Sequence, residues 1–195
     1  MIGFLRGTLA AKQPPRLMLE VAGVGYELEA PMSTFYELPE VGATLTLVTH
    51  LLVREDAHIL YGFSSEAERA LFRSLLKVSG IGARIALAVL SSMSVSGFSG
   101  CVSNKDLASL TRVPGVGKKT AERLLVEMAD RLPVGASEDF GPRSKGGAST
   151  SEAESALLAL GYRPAEVARL LTNIDVGERS TEELIREALK QAHRP

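Results

Sequence analysis

The sequence has one cysteine, no tryptophan, three histidines and only 5% aromatic residues in 195 positions. A single thiol, Cys101, excludes an internal disulfide framework and a thiolate zinc site, since both need several sulfurs. His50, His58 and His193 are scattered along the chain, so no metal site and no bound cofactor are expected. No apolar run approaches the roughly 20 residues that span a bilayer, and the opening MIGFLRG has neither a basic start nor a long apolar stretch. A soluble, cytoplasmic protein without membrane contact is the expectation.

An excess of one charge is also missing, because 22 basic residues face 23 acidic ones. The average hides a partition. Residues 1–63 hold four Lys or Arg against seven Asp or Glu, residues 64–134 ten against six, and residues 135–195 eight against ten. The middle third alone carries an excess of positive charge, so that segment is the one to test for a polyanion partner.

Enough is present to build cores, with 45% of residues hydrophobic. Residues 1–63 alternate with period two: Leu17, Leu19, Val21, then Tyr26, Leu28, Ala30, then Leu45, Leu47 and on to Leu51, Leu52, Val53, with His58 to Tyr61 following. With a first strand near residues 2–10 and a short helix around 33–38, about five short strands in some 60 residues predict a small barrel of the OB type. From Ser65 the period lengthens. Ser65 with Glu68 reads as a capping box ahead of Ala67, Ala70, Leu71, Leu75 and Leu76. Further helices are predicted after Gly82, over 107–111 with Asn104 as cap, and from Gly117 to about Arg131. The serine-rich 91–103 stretch carries no clear helical signal. Residues 135–149 hold ten Gly, Ser, Ala or Pro in fifteen and predict a flexible tether. Residues 150–195 predict a three-helix bundle, with Ser151/Glu154 and Ser180/Glu183 as caps, Gly161 as a stop and Pro164 as a start. Its apolar face takes in Leu157, Leu160, Val167, Leu170, Leu171, Ile174, Leu184, Ile185 and Leu189.

An internal repeat carries the chemistry. Leu76 to Ala86 (LKVSGIGARIA) aligns with Thr111 to Ala121 (TRVPGVGKKTA) at an offset of 35. Each unit reads helix, Gly-apolar-Gly, helix. The glycines allow a tight turn and close backbone approach, and Ile81 or Val116 between them pins the turn to a core. The amides opening the next helix then point outward at the positive end of its dipole, which makes an anion site suited to a phosphate. Gly80, Gly82 and Arg84 form the first such site; Gly115, Gly117, Lys118, Lys119 and Arg123 form the second. Two backbone-and-cation clamps predict DNA binding without base readout. A P-loop is excluded because Arg112 occupies its first glycine position, and a dinucleotide fingerprint because Ile85 and Thr120 occupy its third.

These hairpins, together with MIGFLRG, GVGYE at 23–27, VREDAHILYGF at 53–63, GKKTAERLLVEM at 117–128, LGYRPAEV at 160–167 and LIREAL at 184–189, resemble the bacterial RuvA family along the entire chain. The resemblance implies an OB barrel, tandem helix-hairpin-helix motifs and a mobile three-helix domain. It implies a homotetramer that binds four-way Holliday junctions, singly or as two tetramers, and holds the hexameric RuvB ATPase, with the RuvC resolvase in the larger complex. In that pattern Glu55 and Asp56 form an acidic pin: eight carboxylates around a fourfold axis repel phosphates and hold the crossover open. Taken by themselves, they also read as a solvated turn. The resemblance assigns RuvB to an apolar surface of the third domain, for which Tyr162, Leu170, Leu171 and Ile174 are the candidates; each reads equally well as core. The sequence departs from the family pattern at Ala83-Arg84, where many relatives carry Pro-Lys, which keeps a charge but changes its geometry.

Two other classes compete. A nuclease needs acidic residues converging on metal ions, and no such spacing is visible. Cys101 has no histidine near it in sequence and reads as a small packing residue, so no catalytic residue is assigned. An OB barrel that binds single strands needs stacking aromatics in a basic groove, whereas residues 1–63 are net acidic and Tyr26 falls in an apolar alternation.

Overall fold

The computed structural model describes residues 1–129, 148–172, 174 and 180–192. The chain forms two compact units, one within residues 1–139 and one within 140–195.

In the first unit, five strands close a barrel in the order β1-β2-β3-β5-β4: β1 (Phe4–Gln13), β2 (Arg16–Val21), β3 (Val24–Glu29), β4 (Thr44–Val53) and β5 (His58–Phe63). All neighbours are antiparallel except β3 and β5, which meet in parallel at Glu29 and Tyr61. This is the five-stranded OB-type barrel that the alternation predicts. Strand β1 closes it by pairing with β4 over Phe4–Thr8 and with β2 from Thr8 onward. Its bend brings Gly7 so close to β2 that a Cβ there would sit 2.1 Å from the Glu20 carbonyl oxygen. Leu5, Leu9, Leu17, Leu19, Leu28, Leu47 and Leu60 fill the interior, and the short helix α1 (Met32–Glu37) seals one end with Phe35.

Five helices follow: α2 (Glu66–Leu76), α3 (Ala83–Ser92), α4 (Val95–Ser103), α5 (Leu107–Thr111) and α6 (Lys118–Ala129). Three details correct the sequence reading. The buried face of α2 is Glu68, Leu71, Phe72 and Leu75, while Ala67 is exposed, because the barrel supplies hydroxyl partners for a buried carboxylate. The serine-rich stretch contains a real helix, α4, capped where the Ser94 hydroxyl accepts from the Gly97 amide at 3.1 Å and anchored by buried Phe98 and Val102. Helix α5 is capped by Asp106 rather than Asn104: Asp106 directly precedes it and accepts from the Ser109 amide at 3.0 Å and its hydroxyl at 2.5 Å. Those bonds hold the Asp106 carboxyl below its ordinary range. Helix α6 is described to Ala129, and the rest of its predicted run lies outside the described residues.

Barrel and helices share a core. Leu60 points into the barrel, while its neighbours Tyr61 and Phe63 join the helical cluster around Leu71, Phe72 and Leu75. The Phe72 ring lies 4.9 Å from Tyr61, 5.0 Å from Phe63 and 5.7 Å from His50.

The second unit holds α7 (Ala148–Ala159), α8 (Pro164–Thr172) and α9 (Thr181–Ala192). The predicted tether falls largely outside the described residues. Helix α7 begins at Ala148, so Ser151 lies within it and does not cap it; nothing in Ala148 to Thr150 breaks a helix. The other signals hold. Gly161 follows α7 at φ +96°, Pro164 opens α8, and Ser180 and Glu183 make both bonds of a capping box, at 3.3 Å and 3.0 Å. Ala153, Leu157, Val167, Leu170, Leu171, Ile174, Leu184 and Ala188 form the core, whereas Leu160 is exposed.

Candidate nucleic-acid interface

The repeat in sequence is a repeat in hydrogen bonds. In the first turn Lys77 donates to Ser74, Val78 to Leu75, Ile81 to Val78 and Ala86 to Gly82. In the second, Arg112 donates to Ser109, Val113 to Leu110, Val116 to Val113 and Ala121 to Gly117. Every bond recurs 35 residues on. Gly80 and Gly115 sit at φ +85° and +84°, the left-handed region that a Cβ disfavours. Ile81 and Val116 are buried, as the pinning role requires.

Each corner leads straight into a helix, α3 or α6. Gly82 makes no side-chain cap, and the first α3 amide bonded within the turn is that of Ala86. The amides at 83–85, and likewise 118–120, are the ones a helix start leaves without intrahelical partners. Arg84, Lys118, Lys119 and Arg123 are exposed beside them. Among the described residues none of the four forms an ion pair, and none of the described acidic side chains plugs the corners.

Each corner is braced by the helix that leads out of the other. The Arg123 guanidinium on α6 donates to the Ser79 carbonyl of the first corner at 2.9 Å, within 3.5 Å of where a Cβ on Gly80 would lie. Reciprocally, Ile85 of α3 comes within 3.5 Å of a Cβ position on Gly115. Arg123, expected beside the second corner, is thus tied to the first. Its spacing along α6 gave no hint of this, because the partner lies 44 residues away.

Glu55 and Asp56 lie at the other extreme of the first unit's chemistry. They form the tip between β4 and β5, closed by the Arg54 amide donating to the Ala57 carbonyl at 2.8 Å, and both are exposed. The tip presents two carboxylates to solvent; the corners present amides and cations.

The expected docking residues of the second unit divide between its core and its edge. Leu170, Leu171 and Ile174 are 5%, 8% and 5% exposed and belong to its core. A bundle this small has few apolar side chains to spare. Tyr162 is half-buried at the edge, and the exposed large apolar residues among the described ones are Leu158 and Leu160.

Comparison with known proteins now adds to this geometry. The family model described as RuvA N terminal domain matches residues 1–62, the SAM-like helix-hairpin-helix tandem matches 72–130, and the RuvA C-terminal domain matches 148–193. A protein of Thioalkalivibrio sulfidiphilus is 57% identical over 197 residues, covering 97% of this chain and 98% of its own. Another, from Methylococcus capsulatus, is 54% identical over the full length of both chains, and one from Nitrosococcus oceani is 53% identical over 98% and 99%. All three are named Holliday junction branch migration complex subunit RuvA. The chain belongs to the RuvA family. Family membership accounts for the order of barrel, tandem hairpins and C-terminal helices. No single helix among the described residues is long and apolar enough to cross a membrane.

Proposed function

We infer that this chain is the non-catalytic, DNA-binding subunit of a branch-migration complex acting in recombination and repair. It grips four-way junctions through their phosphates, regardless of sequence, and presents them to a RuvB-type ATPase that supplies the motive force. The observation that carries this reading is the pair of congruent glycine corners, flanked by exposed cations, on the same compact unit as an exposed acidic tip. Amides at Gly82–Ile85 and Gly117–Thr120, with Arg84, Lys118, Lys119 and Arg123, hold backbone phosphates on the arms. Four copies around a fourfold axis bring Glu55 and Asp56 together at the centre, where they repel the strands at the crossover. Attraction on the arms and repulsion at the centre favour a four-way junction over linear duplex.

The α7–α9 unit receives the motor. With Leu170, Leu171 and Ile174 supporting it from the core, the contact surface is Tyr162 with exposed Leu158 and Leu160. The assembly is a homotetramer, with a second tetramer able to cover the open face, and a RuvC-type resolvase completes the larger complex in the cytoplasm. A gel-shift comparison of four-way, linear and single-stranded DNA in magnesium tests the reading. Preferential retention of the four-way junction with every strand intact is expected; equal retention of all three, or strand cleavage, overturns it.

A further inference from the structure

Helix α2 joins the two charged regions, and two consecutive residues near its start attach it to the barrel. Glu68 is 7% exposed and meets no cation among the described residues. Its carboxylate accepts from the Ser33 hydroxyl, the Thr34 hydroxyl at 3.1 Å, and the Ser64 amide and hydroxyl at 3.1 Å and 3.0 Å. Arg69 turns to a different part of the barrel. Its Nη1 donates to the carbonyls of Gly3 at 2.7 Å and Thr49 at 3.0 Å, while Nε and Nη2 are held by Glu66 at 3.0 Å and 2.5 Å.

We propose that Glu68 and Arg69 are specificity-determining positioning residues: by fixing the acidic tip relative to the glycine corners, they set the preference for four-way over linear DNA. This rests on the junction-binding reading above. Neighbouring residues on a helix point about 100° apart, so one grips α1 and the other grips β4 and the residue that leads into β1, and together they block rotation about the α2 axis. At its far end α2 runs directly into the first corner, where Leu75 accepts the Val78 amide. From Thr49, strand β4 continues to the tip at Glu55, a lever of about 20 Å at the usual strand rise. A rotation of about 15° at the joint would move such a lever's end by about 5 Å, a large part of the distance over which charges act in salt. A loose joint would therefore let the tip swing away from a linear duplex lying on the corners, and the repulsion that rejects duplex would fade. An apolar side chain at 68 would fill the space without desolvating a charge. A carboxylate held from several directions instead fixes an orientation.

The test uses the full chain with Glu68→Gln, Arg69→Lys and Ser33→Ala, measuring affinity for a four-way junction and a linear duplex at one salt concentration, with thermal melting alongside. The ratio of the two affinities should fall about tenfold in Glu68→Gln and Arg69→Lys, mainly through tighter duplex binding, and by about threefold in Ser33→Ala, which removes one donor and no charge. A purely structural role would lower the melting temperature and leave the ratio alone. A ratio within about twofold of the parent in any variant folded at the assay temperature overturns the proposal; if Glu68→Gln does not fold, Arg69→Lys and Ser33→Ala decide. A parent that itself shows no preference overturns the junction-binding reading, whereas a parent preference that survives all three changes overturns this proposal alone.

Discussion

The acidic tip and the glycine corners are both turns, but they carry charge in opposite ways. Glu55 and Asp56 form a tip with no left-handed residue, so its negative charge resides entirely in side chains that other residues could replace. At the corners, much of the positive character comes from helix-start amides, which are aimed outward only because Gly80 and Gly115 take φ near +85°. Charge at the tip can thus be changed without touching the fold. Charge at the corners has a part that cannot be separated from it.

The largest effect is expected for Lys118→Ala with Lys119→Ala, which should lower affinity for four-way and linear DNA alike by about tenfold to a hundredfold at low salt. A loss confined to four-way DNA, seen by titration, would contradict a general phosphate clamp. Next, Glu55→Gln with Asp56→Asn should raise duplex affinity about fivefold while leaving the melting temperature unchanged; a drop in melting temperature would mean that the tip is structural after all. Gly80→Ala and Gly115→Ala should each cost about 1–2 kcal/mol of stability, because a Cβ meets only ordinary contacts at either site and the left-handed backbone is what it strains. Unequal costs in denaturant titration would show that the two corners are not equivalent.

The smallest effect concerns the joint between the two regions. His50 Nδ1 accepts from Arg73 Nε at 3.3 Å, a bond that only the neutral ring can make. Burial, then Arg73 and Arg69, holds His50 below its ordinary value of 6.5. As pH falls, the unfolded chain therefore takes up this proton before the folded chain does. Stability from the neutral ring is complete above 6.5 and is lost as pH drops from there toward the lower folded value. The loss should be under about 1 kcal/mol, given solvent screening at a half-exposed site. Melting curves above and below that window should show it in the parent and much less in His50→Phe.

How much of this could be read from sequence follows from what each signal measures. The barrel strands, both corners and the Ser180–Glu183 box are set by neighbours within a few residues, and all were legible. Phase and partnership across the chain were not. Glu68 reads as a capping residue, yet its carboxylate serves Ser33, Thr34 and Ser64. Tyr61 and Phe63 read as barrel residues and instead join the helical core. Helix α4 was hidden because serine and glycine mask its period, and only Phe98 and Val102 betray its buried side. Arg123 was legible as a cation near a corner but not as the strut to Ser79. Leu170, Leu171 and Ile174 were ambiguous between surface and core until the bundle was seen to consume them.

Salt dependence separates phosphate binding at the corners from any other mode of attachment. Plotting log affinity against log salt for the parent and for Arg84→Ala/Lys118→Ala/Lys119→Ala, on four-way and on linear DNA, should give a steep parent slope that becomes shallower by about 2.7 in the variant on both substrates. An unchanged slope would contradict the account, because the corners would then not be where DNA phosphates are held.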